Sequence, residues 1–337
     1  MIYLSPDMPQ YRANLHSHSN LSDGKLTPEQ MVRAYRDKGY SILAITDHEA
    51  PYDHTDLSTP DFLMLTGYEA YIRPSAECRF DPFGPEIHMN LLARDPHNTS
   101  IVGFDPNFCK YMPLELAEQR PHAGALGPRR YTREYIQSFI DAARAAGYLV
   151  TYNHPCWSME DEADILSYDG CFSLEVFNTG SMKISGYECN MALYDKFLRR
   201  GKFLYCHGAD DNHNAKPFGD LLCDSFGAWT MVLADELSYP AVIRALEQGR
   251  FYATTGPAIT ELRFDGLHVR LGCTPAQRVI LHGSPKLARS FYHADGAPVT
   301  LAEFDLPPQA EYFYFSVLAA DGTAAHTRAF RRSELEG

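Results

Sequence analysis

No stretch of the chain approaches the ~20 consecutive apolar residues that a bilayer-spanning helix needs, so no membrane partner is expected. Residues 1–9 hold neither a basic patch nor an apolar run, so no secretory leader is expected and a cytoplasmic location is. The eight cysteines contain no Cys-x-x-Cys pair, which leaves little support for a zinc finger or a disulfide framework. They read as reduced, largely buried small hydrophobes. Basic residues are scarce, 30 Lys and Arg against 43 Asp and Glu, for a net charge of −13. A protein that tracks a phosphate backbone usually shows a basic face, so stable nucleic-acid binding is not expected. A small phosphorylated substrate stays compatible with this charge, because bound divalent cations would reverse the local field. No repeat of solenoid period is present.

At 337 residues the chain is long enough for one large domain and a small one, and 45% hydrophobic with 22% charged residues is ordinary for a soluble enzyme. One local pattern recurs. Helix-like residues 31–38, 133–146 and 191–200 each end at a glycine (Gly39, Gly147, Gly201), and a short apolar β-rich run follows. Those runs finish on Asp47-His48, on His154-Pro155, and on His207 with Asp211-Asn-His213. Two further runs, 62–66 and 172–174, lead into Glu69 and Glu175. Alternating helix and strand predicts a parallel sheet covered by helices, with polar residues gathered at strand C-termini as in barrel-type α/β enzymes. The first helix has a readable start: Thr27 as N-cap, Pro28 at the first helical position and Gln30 completing a capping box. Residues 94–131, with five prolines, are too long for an ordinary connection and read as an insertion, either a lid over the site or a surface excursion. From about residue 259, Asp265-Gly266, Asp295-Gly296 and Asp321-Gly322 punctuate β-rich runs as hairpin signals. The expected division is therefore 1–258 and a small antiparallel β domain, 259–337.

The densest chemistry lies in His16-Ser-His18 with Asp23 close behind. On an extended strand a one-residue spacing puts both imidazoles on the same side, where they can share a borderline metal ion. A lone His-x-His is also common on solvent-facing strands; its weight here comes from the histidines and carboxylates that follow at later strand ends. Glu69 has two oxygens and can bridge two cations. Mixed imidazole and carboxylate ligands suit Zn²⁺, Mn²⁺ or Fe²⁺ better than Ca²⁺.

His16-Ser-His18, Ser22-Asp23-Gly24, Thr46-Asp47-His48, Gly67-Tyr-Glu69, Glu86-Ile-His88, Asn153-His154-Pro155 and Asp211-Asn-His213 occur in order. This series closely resembles the PHP (polymerase and histidinol phosphatase) superfamily of metal-dependent hydrolases, over roughly residues 14–215. The segment from Arg250 to Pro257 and the β tail are similar to two-domain members grouped with carbaryl hydrolase. The resemblance implies an α/β fold, a distorted seven-stranded β/α barrel with a C-terminal antiparallel β appendage, and two or three divalent metal ions. It implies a first ion on His16, His18, Glu69 and Asp211. A second would sit between Glu69, His88 and His154, and a third on Asp23, His48 and His213.

The expected activity is a phosphoesterase acting on a small phosphorylated molecule, with metal-bound water as nucleophile and Glu69, Asp211 and His213 as the nearest supporting groups. A carbon-ester or carbamate hydrolase using the same centre is the alternative, and a non-catalytic metal-stabilised binding protein a third. Asp47 reads as a partner fixing a histidine tautomer or as a capping aspartate. Glu175, Asn178 and His207 read as pocket residues. Arg73, Arg79, Arg129, Arg130 and Lys183 are candidate phosphate anchors, although solvation is the commoner fate of any one of them. Substrate identity and oligomeric state are not legible.

Overall fold

The computed structural model describes residues 1–74, 84–187, 189–284 and 286–335. Its elements run β1 (Ile2–Leu4), β2 (Tyr11–Asn14), α1 (Pro28–Asp37), β3 (Ile42–Ile45), β4 (Leu63–Ile72), β5 (Ile87–Ala93), β6 (Ile101–Val102), α2 (Leu114–Gln119) and β7 (His122–Ala123). Next come α3 (Arg133–Ala145), β8 (Tyr148–Tyr152), α4 (Glu162–Ile165), β9 (Ser173–Asn178), α5 (Met191–Arg199), β10 (Tyr205–Ala209), β11 (Trp229–Val232), α6 (Tyr239–Glu247) and β12 (Phe251–Thr254). The β-rich remainder holds β13 (Ile259–Asp265), β14 (His268–Ala276), β15 (Arg278–Gly283), β16 (Leu287–Phe291), β17 (Val299–Asp305), β18 (Tyr312–Leu318), β19 (Ala324–Thr327) and β20 (Phe330–Arg331). The fold is mixed α/β. Helix α1 starts as its sequence requires: Thr27 Oγ1 accepts from Gln30 N at 3.3 Å, and Gln30 Oε1 accepts from Thr27 N at 2.9 Å. Among the described residues no helix is long and apolar enough to cross a membrane.

Strands β2, β3 and β4 pair in parallel, as do β8, β9 and β10. Between the two sets lies β5, antiparallel to both β4 and β8, so the sheet is not uniformly parallel as expected. β5 is the next described strand after β4 and pairs directly with it, an antiparallel arrangement that needs no helical crossover. The ends of this seven-strand run approach each other. Asp211 N donates to His16 O at 2.9 Å, and His18 N donates to Asn212 O at 3.0 Å.

Seven strands do not exhaust the sheet. The free edge of β2 pairs with β11, and the ladder continues through β12, β19, β18, β15 and β16 to a total of fourteen strands, β20 included. The C-terminal segment is therefore continuous with the main sheet through β12 and β19. Its second layer is a four-stranded sheet, β1-β13-β14-β17, in which the first strand of the chain pairs with β13. Leu4, Leu262, Phe264, Leu271, Val279, Phe313 and Phe315 fill the space between the layers. Asp265-Gly266 and Asp321-Gly322 turn hairpins, whereas Asp295-Gly296 lies in the connection from β16 in one sheet to β17 in the other.

Helix α3 lays Ile136, Phe139, Ile140 and Ala143 on the sheet beside Val150 and Leu174. Each such large apolar side chain contributes about 1.5–3 kcal/mol on burial, enough to hold the strand ends that carry the polar residues. Residues 94–131 contain β6, α2 and β7 and bury Phe104, Phe108, Met112 and Ala117. Among the described cysteines none is in a disulfide; Cys206, Cys223 and Cys273 are buried, while Cys156 is exposed, contrary to the expectation of general burial.

Candidate metal centre

The His16–His18 segment continues the line of β2 and is gripped on both sides. Thr46 N donates to Ser17 O at 2.7 Å, and Ser17 forms a parallel bridge with Asn212. A Cβ on Gly24 would fall 2.1 Å from His18 O, so only glycine lets the Asp23 loop close onto this strand. The expected same-side geometry is present. His16 Nε2 and His18 Nε2 are 3.2 Å apart, and both lie near Asp211 Oδ1, at 3.1 and 3.0 Å. Glu69 closes this group with Oε1 3.2 Å from His16 Nε2 and Oε2 3.3 Å from His18 Nε2. Ligands about 2.1 Å from a tetrahedral ion stand about 3.4 Å from one another, close to these separations.

Glu69 lies within β4 rather than at its end, with its side chain fully buried. Its Oε1 also lies 3.1 Å from His88 Nδ1 and 3.3 Å from His154 Nε2, while Oε2 is 3.1 Å from His48 Nδ1. The two oxygens face different histidines, the arrangement a bridging carboxylate requires.

Four groups of ligand-type atoms result: His16, His18, Glu69 and Asp211; His18, Asp23, His48 and His213; His48, Glu69 and His88; and His16, His154 and Glu175. The first coincides with the expected set. The expected third set gains His18, whose Nδ1 is 3.9 Å from Asp23. The expected second set is divided, with His88 grouped with His48 and His154 with His16 and Glu175.

Neighbouring side chains fix these groups. His16 Nδ1 lies 3.0 Å from Glu175 Oε1, which selects the tautomer that leaves the Nε2 lone pair facing the other ligands. Asn178 Nδ2 donates to Glu175 Oε2 at 2.8 Å and to Asp211 Oδ2 at 3.1 Å. Asn153 Nδ2 donates to Glu69 Oε1 at 2.8 Å. His154 and Asp211 have φ of 21° and 53°, left-handed values that non-glycine residues adopt at a cost of about 1–3 kcal/mol.

Electrostatics shows what the cluster needs. Burial depresses His16, but Asp211, Glu69 and Glu175 outweigh it and hold the imidazole well above its usual range. Burial is likewise overcome at His18 by Asp211 and Glu69, and at His88 by Glu69 and Glu86, each ring being raised to about 10. His48 goes the other way, lowered to about 3 by burial and by the charge on His18, against the pull of Glu69 and Asp23. Despite burial, the histidines hold Glu69 and Asp211 well below the ordinary carboxylate range. The carboxylates thus demand positive charge at the centre. Glu69 Oε2, His18 Nδ1, His48 Nδ1 and both ring nitrogens of His88 are buried and make no hydrogen bond. Buried ring nitrogens and a carboxylate oxygen that converge without hydrogen-bond partners fit divalent cations, which would take the place of the ring protons.

The cluster opens into a cavity of about 600 Å³ lined also by Lys25, Tyr71, Arg73, Lys110, Tyr111, Trp157 and Ile184, within the usual range for small-molecule pockets. Tyr111, from the 94–131 excursion, stacks on His48 with ring centroids 6.1 Å apart. Trp157 meets His88 and His154 edge-on at 5.3 and 5.0 Å. A second cavity of about 510 Å³, among Arg94, Phe172 and Lys202, is lined by none of the expected ligands.

Several expected roles are displaced. Asp47 accepts from Ser19 N and Oγ and from Ser22 Oγ at 2.6–2.7 Å, so it ties the Asp23 loop rather than a histidine. His207 is buried behind Glu175, 2.8 Å from Ser173 Oγ, and does not line the cavity. Burial, opposed by Glu175, lowers it to about 4. Arg129 is buried on Glu49 and is no phosphate anchor. Arg130 and Lys183 are exposed and do not line the cavity, whereas Arg73 does. Arg79 lies outside the described residues. Asn153, Tyr111 and Trp157 were not anticipated; of these only Asn153 carried a signal, as the residue before His154 at a strand end.

The PHP domain family model matches residues 14–120. Over 146 residues the chain is 30% identical to the error-prone DNA polymerase of Mycolicibacterium paratuberculosis, covering 41% of this chain and 12% of that protein. Over 145 residues it is 30% identical to the 5'-3' exoribonuclease Rnm of Escherichia coli, covering 42% of this chain and 45% of that one. The chain thus spans less than half the length of either curated relative. Among solved structures, a two-domain protein from Bacteroides vulgatus containing a predicted PHP-like metal-dependent phosphoesterase is similar with TM-score 0.45 and 17% identity, over 97% of this chain and 96% of that one. His16, His18, Asp23, His48, Glu69 and His88 all fall inside the segment, residues 14–120, over which this chain is similar to the PHP domain family.

Proposed function

We propose that the protein is a metal-dependent phosphoesterase that hydrolyses a small phosphorylated substrate. The observation that carries this reading is Glu69, a buried carboxylate with five histidine nitrogens within 3.1–3.3 Å of its two oxygens. We infer that the seven-strand run closes as a distorted barrel, that residues 259–337 form a small β domain, and that the location is cytoplasmic. Two or three Zn²⁺, Mn²⁺ or Fe²⁺ ions would be held by His16, His18, Asp23, His48, Glu69, His88, His154, Asp211 and His213. Divalent cations there would neutralise charge on phosphoryl oxygens and bring the pKa of coordinated water toward about 7.

The chain's own residues prepare this chemistry. Asn153 and Asn178 orient Glu69 and Asp211 through their amide donors. His213 Nδ1 lies 3.0 Å from Asp211 O, which directs its Nε2 toward Asp23, 3.5 Å away. Lys25, Arg73 and Lys110 place positive charge on the cavity wall, which suits a phosphate. Trp157, Tyr111 and Ile184 give the same wall an apolar sector; it favours a second reading, hydrolysis of an aryl carbon ester or carbamate.

Turnover of p-nitrophenyl phosphate, set against naphthyl acetate and naphthyl N-methylcarbamate, tests the choice. Metal-dependent release of phosphate supports the proposal. Turnover of the carbamate with no phosphomonoesterase activity would replace it with the second reading, and metal binding without any hydrolysis would leave a binding protein.

A further inference from the structure

Arg129 belongs to the 94–131 excursion, yet its side chain is only 1% exposed and reaches under the His48 loop. Its Nη1 donates to Glu49 Oε1 at 2.5 Å and its Nη2 to Glu49 Oε2 at 2.7 Å, a bidentate pair. Nη1 also donates to Tyr71 O at 2.7 Å and Nε to Gly103 O at 3.0 Å, while the Phe108 ring lies 4.5 Å away. The guanidinium is thus held by three chain segments at once.

Glu49 is the other half of the clamp. It follows His48 directly and has φ of 53°, a left-handed conformation with a steric cost. Its N–H donates to Glu69 O at 2.8 Å, and its Oε1 accepts from Tyr71 N at 2.9 Å. Glu49 therefore grips the strand at Glu69 and again two residues on, at Tyr71. The pair His48 and Glu69, whose Nδ1 and Oε2 are 3.1 Å apart, is set by these backbone contacts. Without the guanidinium, Glu49 would be a buried carboxylate with its main counter-charge gone, a costly state that the strained His48–Glu49 backbone would relieve by moving.

We propose that Arg129 is a positioning residue for the His48 side of the cluster, which makes the 94–131 excursion an obligatory part of the site rather than a movable lid. His16 and Asp211, gripped by Glu175 and Asn178, do not depend on this clamp. The inference rests on the metal-binding reading above and concerns which ion is lost.

Calorimetric titration of the metal-free protein with Mn²⁺, together with ring-nitrogen NMR of the histidines, tests it. Arg129→Met should weaken the loosest class of Mn²⁺ sites by about tenfold or more, the usual effect of losing a residue that orients a ligand. The His48 ring signals should shift while those of His16 stay in place. Arg129→Lys, which keeps the charge without the fork, should recover part of the loss. If Arg129→Met does not fold, the double variant Arg129→Met/Glu49→Met removes both buried charges and should fold with the same selective loss. Unchanged Mn²⁺ isotherms in folded variants would overturn the inference, as would equal weakening of every class with His16 shifting too. Absence of Mn²⁺ binding by the wild type would instead overturn the metal-binding reading itself.

Discussion

His16 and Glu175 form a directional pair: Nδ1 of the imidazole lies 3.0 Å from Oε1 of the carboxylate, while Nε2 faces Asp211 and Glu69 at 3.1 and 3.2 Å. Glu175→Gln keeps the shape and removes the charge that makes the ring a strong ligand. Metal affinity should fall by about 10–100-fold. Titration of the metal-free variant with Zn²⁺ measures it, and wild-type affinity would show that Glu175 is dispensable.

Protons and cations compete for the same rings. His18 and His88 are raised to about 10 in the metal-free protein because carboxylates overcome burial. Both therefore carry protons at neutral pH that ligation must displace, so binding should release more than one proton and tighten as pH rises from 6 to 8. Calorimetry in buffers of different ionisation enthalpy counts those protons; pH-independent affinity would contradict the charge account.

Away from the centre, Glu160 is buried against the hydroxyls of Tyr131 and Tyr152, and burial raises it to about 8. An unfolded glutamate titrates near 4.5. Between these values the folded chain holds a proton that the unfolded chain has lost, so stability falls as pH rises through this window and levels off above 8. Glu160→Gln should raise the melting temperature at pH 9 and leave it nearly unchanged at pH 4.5. An equal effect at both pH values would mean that the glutamate is not buried as a neutral acid.

Gly24 permits a close approach that no other residue allows, since a Cβ would sit 2.1 Å from His18 O. Gly24→Ala should destabilise the fold by about 3 kcal/mol, the scale of a severe single substitution, and shift the His18 ring signals. Urea unfolding measures the first, and a neutral result would mean that the Asp23 loop packs elsewhere.

The clustering of these side chains was legible because each residue sits beside a punctuated strand: His16 and His18 after β2, His48 after β3, His154 after β8, Asp211 after β10. His88 was legible only through its motif, because it begins an antiparallel strand that the alternating pattern did not foretell. The pairing of β1 with β13 was hidden for a different reason. A three-residue strand has no periodicity, and its partner lies some 260 residues away. Asp47 and Arg129 misled because residue type alone does not say whether a charge meets solvent, substrate or a buried partner.

Anomalous diffraction from crystals soaked in Mn²⁺ tests the central claim most directly. One peak should lie among His16 Nε2, His18 Nε2, Glu69 and Asp211 Oδ1, with at least one more among the atoms facing His48. Active protein whose soaked crystals show no anomalous peak within coordination distance of Glu69 would contradict the account.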